Sequence, residues 1–528
     1  MELGERVGER WCSALLHESR VHESQYRITH GSHTTNHNHP IAVPSPIGWE
    51  RVRVRAARFA PTKSWLLLLS LCVWFVAGCA VGPNYHRPPV PAPEAFRGEV
   101  QASTNSFADL PWWQVFHDDH LQNLIRVALT NNYDLRIAVA RVAQERALAA
   151  QARSQFFPQA NYGVFAGKGR NVSDGLPSPT GTGGSVFGAD VNASWEVDLW
   201  GQIRRLNESA RAQYFASEEA RRDVRISLIA EVASDYFQLL ALDNQLVIAR
   251  QSTNSYGQSL AIFNERLHGG VASKLETSSA EALMDSAAAT IPTLEEQIVM
   301  QEDQLSVLLG ENPGAIPRLN SLLGEQLPPS VPPGLPSTLL ERRPDIREAE
   351  QQLRSANAQV GVAVSDFFPQ LNLTGLFGAA TPELSAVTSG GDVAWSIAAG
   401  LTGPLFHGGQ LRAQYAQALA VRDQDTLQFQ ASVLTALQEV SDALVAREKL
   451  ALARTQQRHA VDDYQEAVRI SMERYRQGES SYYEVLQEQQ LLFPAEDTLV
   501  QTQLNQLLAV VQLYVSLGGG WDMNEKQL

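Results

Sequence analysis

Residues 187–199 read Phe187-Gly-Ala-Asp-Val-Asn-Ala-Ser-Trp-Glu-Val-Asp-Leu199. Every odd position is apolar: Phe187, Ala189, Val191, Ala193, Trp195, Val197 and Leu199. The even positions are Gly188, Asp190, Asn192, Ser194, Glu196 and Asp198. Period two over this length is a half-buried β-strand. Val393, Trp395, Ile397, Ala399 and Leu401 repeat the pattern against Ala394, Ser396, Ala398, Gly400 and Thr402. Weaker partner strands are expected over 160–170 and 371–380. A soluble sandwich alternates in the same way. These segments, however, match the ~9–11 residues a tilted strand needs to cross a bilayer, and a transmembrane barrel alternates apolar-out and polar-in. On that reading Asp190, Asn192, Glu196 and Asp198 face a water-filled lumen. Four strands cannot close a barrel, and an open edge would leave N–H and C=O groups unsatisfied in lipid. Copies of the chain must therefore share the barrel. Three copies give twelve strands and two give eight, and the strand pattern does not choose between them.

The two strand pairs belong to an internal duplication. Ser154-Gln-Phe-Phe-Pro-Gln159 recurs as Ser365-Asp-Phe-Phe-Pro-Gln370, 211 residues on, and Asn132-Tyr-Asp-Leu135 aligns with Arg343-Pro-Asp-Ile346 at the same offset. Glu265-Arg-Leu-His-Gly-Gly270 aligns with Glu473-Arg-Tyr-Arg-Gln-Gly478 at 208, as does Leu309-Gly310 with Leu517-Gly518. A nearly constant offset over four landmarks marks a repeated structural unit. Each unit reads helix, two strands, then long helices. Gly201 to His268 and Gly409 to Arg476 are each 68 residues without Pro. Unbroken, each helix would reach ~100 Å at ~1.5 Å per residue. Ile229, Val232, Tyr236, Leu239 and Leu246 follow the three–four spacing of a coiled-coil seam. The helices reverse at Gly269, Gly270 and Gly478, where Gly supplies positive φ readily, so the hairpin tips lie far from the strands.

Upstream, Trp65-Leu-Leu-Leu-Leu-Ser-Leu-Cys-Val-Trp-Phe-Val-Ala-Gly-Cys79 follows Arg51, Arg53, Arg55, Arg58 and Lys63. The run is too short for a spanning helix, and its basic flank and small-residue end read as an export signal. Val76-Ala77-Gly78-Cys79 resembles a bacterial lipobox. That resemblance implies cleavage before Cys79, a diacylglycerol on its sulfur and an acyl chain, such as palmitate, on its amino group. Residues 1–50 are polar, hold six of the twelve His, and fit no signal peptide; they read as an extension from a start assigned too far upstream. Cys12 and Cys72 precede the cleavage site, so no disulfide framework or Cys metal site is expected in the mature chain. Nine Lys and Arg and six Asp and Glu lie before Cys79. That leaves 33 and 51 after it, a net charge near −18. Such acidity argues against a nucleic-acid binder. Gly82-Pro-Asn-Tyr-His-Arg-Pro-Pro-Val-Pro-Ala-Pro93 has five Pro and reads as an extended tether. The chain thus divides into an N-terminal extension (1–50), signal peptide (51–78), Pro-rich tether (79–110), first unit (111–310), Pro-rich linker (311–336), second unit (337–518) and C-terminal tail (519–528).

Taken together, the chain resembles the TolC/OprM-like outer-membrane factors, and specifically their NodT-type lipoprotein branch. The carrying residues are Gly82-Pro-Asn-Tyr85, Pro111-Trp-Trp-Gln-Val-Phe116, Asp198-Leu-Trp-Gly-Gln202, Glu341-Arg-Arg-Pro-Asp-Ile346, both Phe-Phe-Pro motifs and Glu473-Arg-Tyr-Arg-Gln-Gly478. The resemblance implies an α+β membrane protein. Its duplicated helix-strand-strand-helix units would build a trimer with a twelve-stranded outer-membrane β-barrel continued by a periplasmic α-helical barrel. It also implies partnership with a periplasmic adaptor and an inner-membrane pump of the resistance-nodulation-division type, in a tripartite efflux system. By the same resemblance, the periplasmic constriction maps to Tyr483, Gln487 and Gln490, and the adaptor-contact tips to Gly269, Gly270 and Gly478. The family pattern usually places an Asp and an Arg where this chain has Gln487 and Gln490, so an ionic lock is not expected. Glu484 and Glu488 lie nearby, and Tyr482 and Leu486 are expected to pack the hairpin.

The sequence contains no Gly-x-Ser-x-Gly, His-Glu-x-x-His or Walker motif. The glycine-rich Gly181-Thr-Gly-Gly-Ser-Val-Phe-Gly188 joins two strands and opens no helix, so it is no phosphate site. No enzyme activity and no cofactor are expected. A lipid-anchored coiled-coil stalk would explain the helices but not the amphipathic strands. The outer-membrane component of a type I secretion system stays open as an alternative. Because both lipid and barrel would hold the chain, Cys79→Ser is expected to impair processing more than membrane retention, and mass spectrometry of the membrane-fraction Cys79 peptide checks whether it carries lipid.

Overall fold

The computed structural model describes residues 80–90, 93, 95–97 and 110–519, apart from 171, 174–175, 178–182, 319–320, 325–333, 335 and 388–392. The extension, the signal peptide and Cys79 lie outside the described residues. In chain order the main elements are α1 (Asp119–Asn131), α2 (Tyr133–Ser154), β1 (Gln159–Arg170), β2 (Gly183–Val197), α3 (Gln202–His268) and α4 (Lys274–Leu308). The second unit follows with α5 (Pro344–Ser365), β3 (Gln370–Thr381), β4 (Val393–Thr402), α6 (Gln410–Gln477) and α7 (Tyr482–Ser516). The duplication is visible residue by residue. Helices α2 and α5 begin and end 211 residues apart, as do β1 and β3, whereas α4 and α7 begin and end 208 apart.

Each unit is closed at equivalent points. Asn132 caps α2, accepting from Leu135 N–H, and donates through Nδ2 to the carbonyl of Leu308, the last residue of α4, at 3.0 Å. Arg343, 211 residues later, donates through Nη1 to the carbonyl of Ser516, the last residue of α7, at 2.9 Å. These carbonyls are among the four that every helix end leaves without an internal partner. Beside them, Gly310 and Gly518 take positive φ (70° and 71°). A Cβ at Gly310 would stand 2.7 Å from the Asn131 carbonyl, so a side chain there would push the two helix ends apart. The core lies in this region: Trp112, Leu121, Ile125, Tyr236, Leu239, Leu305, Phe429 and Leu513 are all buried. The predicted seam is part of it, with Ile229, Val232, Tyr236 and Leu239 buried and Leu246 packed against them.

The four strands form one antiparallel sheet in the order β1-β2-β3-β4. Directly opposed residues share a face, and the register sorts the two faces by chemistry. Tyr162, Val191, Phe377 and Trp395 align across all four strands, followed by Ala160, Ala193, Gly375 and Ile397, and by Val164, Ala189, Ala379 and Val393. The other face carries the row Asn161, Asn192, Leu376 and Ser396 and the row Gly163, Asp190, Gly378 and Ala394. In a single chain the apolar face has no cover: Tyr162, Trp395 and Ile397 are 84%, 71% and 81% exposed. No helix among the described residues is long and apolar enough to cross a membrane. If the apolar face of the sheet meets lipid, Val191→Arg should cost about 2–4 kcal/mol near the midplane. Asn192→Arg, on the opposite face, should be tolerated and shift ion selectivity. Urea unfolding in liposomes and planar-bilayer recordings compare the two.

Candidate functional site

Three regions carry the candidate functional residues: the sheet–helix junction, the hairpin tips and the face of α7 near its start. At the junction the repeated motifs meet. Trp200 stacks on Phe368 with ring centroids 4.7 Å apart and donates to the Pro369 carbonyl at 2.8 Å. Trp195 donates to the Phe156 carbonyl at 3.1 Å. Gln202 donates to Asp366 at 2.6 Å and accepts from Gln370 at 3.0 Å. Asp190, Asn192 and Glu196 lie on the polar face of β2, and Asn192 donates to Asp190 at 3.1 Å. Asp198 differs from the lumen expectation. It follows the last strand residue, Val197, and its carboxylate accepts from the N–H groups of Ile203 and Arg204 and pairs with the Arg204 side chain at 3.0 Å. It therefore caps α3, whose first-turn N–H groups have no partner within the helix.

The Pro-rich segment also differs from expectation, because residues 80–87 are strapped to the helices instead of hanging free. Val81 N–H donates to the Trp200 carbonyl at 2.9 Å. Arg205, 4% exposed, donates to the carbonyls of Val81 and Gly82 and to Asn84. Asn357 donates to the Pro83 carbonyl at 3.0 Å. Tyr85 donates to Glu350 at 3.1 Å, and Arg354 lies over its ring; burial first, then the Glu350 charge, pushes the phenol up to about 12. Arg87 pairs with Glu341 and Glu350. Close approach needs glycine: a Cβ at Gly82 would fall 2.5 Å from the Gly361 Cα, and one at Gly201 2.7 Å from the Ala80 Cα. The strap therefore delivers residue 80 to the base of the sheet, beside the position expected to carry lipid.

Both tips end in the same hydrogen-bond pattern. Gly270 N–H donates to Leu267 and Val271 N–H to Arg266; Gly478 N–H donates to Tyr475 and Glu479 N–H to Arg474. These are Schellman closures. Their C′ residues, Gly270 and Gly478, have φ of 74° and 78°. Gly269 does not share this role, because it sits in the right-handed helical region at φ −75°. Above the tips, Phe263, Ala280, Tyr475, Val485 and Leu486 form a buried cluster with Tyr482 packed against it. Arg266 stacks over the Tyr475 ring at 4.4 Å and donates to its carbonyl at 2.7 Å.

Tyr483, Gln487 and Gln490 are exposed along one side of α7, at the i, i+4 and i+7 positions that share a helix face. Glu484 lies 3.7 Å from Arg474 on α6. On the opposite side, Gln489 is fully buried. It donates to the Ser255 hydroxyl at 2.7 Å and accepts from Ser259 at 3.2 Å, joining α7 to α3. The sequence reading passed over Gln489, although a polar residue interrupting the apolar stripe Val485, Leu486 and Leu492 was a usable signal. It also passed over Arg205, whose counterpart 208 residues on is Ala413; a side chain that breaks the repeat marks a contact only one unit makes.

Residues 124–311 and 335–519 match the outer membrane efflux protein family. The chain is 34% identical over 472 residues to the toluene efflux pump outer membrane protein TtgF of Pseudomonas putida, covering 87% of this chain and 98% of that one. It is 32% identical over 466 residues to the probable outer membrane lipoprotein SilC of Salmonella typhimurium, covering 86% and 99%. Its fold matches the open state of the Neisseria gonorrhoeae MtrE outer membrane channel with a TM-score of 0.76 at 29% identity, covering 84% of this chain and 99% of that one.

The tip geometry separates two adjacent glycines. Gly270→Ala should destabilise by about 1–2 kcal/mol, because an L side chain is strained in the left-handed region. Gly269→Ala meets only ordinary contacts, the nearest the Arg266 carbonyl at 3.5 Å. It should be neutral or stabilising by about 0.4–1 kcal/mol. Thermal unfolding of the two variants checks this.

Proposed function

The chain belongs to the outer membrane efflux protein family and is an outer-membrane efflux channel; from that premise we propose that it is the passive exit duct of a tripartite efflux system. The observation that carries the reading is a sheet apolar on one face, with β1 and β4 as its outer strands, mounted on helices of 67 and 68 residues. Each edge strand has a paired neighbour on one side only, and in lipid the other side needs a partner chain. Three copies supply twelve strands and, with α3, α4, α6 and α7 from each, twelve helices, and α3 and α6 give the tunnel its length of ~100 Å. The lumen carries Asp190, Asn192 and Glu196. Cys79 bears the lipid, and the lipoprotein name of SilC supports this.

The cargo is small organic molecules, drugs and solvents among them, as the toluene efflux name of TtgF supports. Energy comes from an inner-membrane pump of the resistance-nodulation-division type, reached through a periplasmic adaptor. The tips 267–273 and 475–482 receive the adaptor. Tyr483, Gln487 and Gln490 line a closed constriction held by neutral hydrogen bonds, each worth only about 0.5–1.5 kcal/mol net. Glu488 and Glu484 bias the mouth toward cations. Replacing Tyr483 and Gln487 by Ala should raise the resting single-channel conductance and the entry of antibiotic dyes into cells. A conductance equal to that of the parent protein would place the constriction elsewhere along the tunnel.

A further inference from the structure

A cavity of about 720 Å³ lies between the first hairpin and α7, walled by α3, α4 and α7. Its volume is that of a small-molecule site. The floor is aromatic: Tyr256 and Phe493 meet edge-to-face with centroids 5.2 Å apart. Leu283 and Leu294 of α4 supply aliphatic walls, and Asp497 of α7 stands on the lining as a carboxylate. Among the described residues no Lys or Arg lines the cavity. The backbone adds a second acceptor. Pro494, inside α7, has no N–H to give to the carbonyl four residues earlier, that of Gln490, and both residues line the cavity. Pro292 interrupts the facing helix α4 in the same stretch.

We infer that this cavity binds a hydrophobic organic cation: a flat or branched apolar body on Tyr256 and Phe493, with its charge toward Asp497 and the Gln490 carbonyl. Three observations select that class over a neutral or anionic solute. The aromatic rings attract a cation and the apolar walls desolvate it; the charged side chain on the lining, Asp497, is negative; and the Gln490 carbonyl lacks the helical donor that a non-proline residue at 494 would supply. The occupant also touches the helix that carries Tyr483 and Gln487, so it braces α7 against the first hairpin. That consequence rests on placing the constriction there, whereas the binding does not.

Fluorescence titration of the full chain in neutral-phospholipid nanodiscs tests the inference, with ethidium as the probe, its uncharged phenanthridine parent as comparator and empty discs as background. The expected result is saturable ethidium binding at one site per chain. Asp497→Asn, a change of an exposed side chain, should weaken ethidium roughly fivefold while leaving the uncharged comparator unchanged. Ala287→Trp, which fills the cavity from α4, should abolish binding of both in a protein of unchanged helical content. Ethidium binding that survives Ala287→Trp, or that Asp497→Asn leaves unaltered, overturns the site. Because the readout is binding and not conductance, failure here is distinct from failure of the constriction assignment.

Discussion

The structure depends on what happens at the outer edges of β1 and β4. Inside the sheet every strand is paired, but each edge presents a row of backbone donors and acceptors, and an apolar bilayer offers them nothing. That single constraint requires copies of the chain to meet, and it requires the apolar row of Tyr162, Val191, Phe377 and Trp395 to point away from the shared pore. The duplication serves the same end. Two units of nearly equal length place two strand pairs side by side, with β2 against β3, so one chain supplies four adjacent strands from two similar modules.

The modules are equal because they are closed by the same contacts. Asn132 on the Leu308 carbonyl and Arg343 on the Ser516 carbonyl return the last helix of each unit to the start of its first. The chemistry differs, a neutral amide in one unit and a guanidinium in the other. The Arg also pairs with Asp345 and Glu439, so the second unit spends more charge on the same geometry. Buried charges of this kind are strongly destabilising to break, whatever their net contribution when intact.

Much of this was legible in the chain. The strands begin within a residue of where period-two alternation places three of them, and the long helices span what the Pro-free stretches allow, because both signals are local and persist over many residues. Asp198, Gly269 and the segment after Cys79 were misread for separate reasons. Asp198 continues the alternation by one more step, yet the turn at Gly201 already needs its carboxylate for capping. Gly269 and Gly270 are equivalent in sequence, and only the closing hydrogen bonds show which one turns left-handed. Five prolines describe an extended backbone correctly, but extension alone does not reveal that Arg205 and Gly361 wait to receive it. Contacts between residues more than a hundred positions apart leave no periodicity to read.

The strap from Ala80 to Arg87 has a mechanical consequence. The hairpin tips stand ~100 Å from the base of the sheet, about three times the thickness of a hydrocarbon core. Any sideways load applied at a tip therefore reaches the membrane as a torque with a long lever arm. A loose tether would leave the barrel alone to resist it. A strap fixed to Trp200, Arg205, Asn357 and Glu350 instead makes the attachment point rigid with the helices. If Cys79 carries lipid as proposed, that fastening one residue upstream would act as a stay at the fulcrum of the lever, with three such stays wherever three copies close the ring.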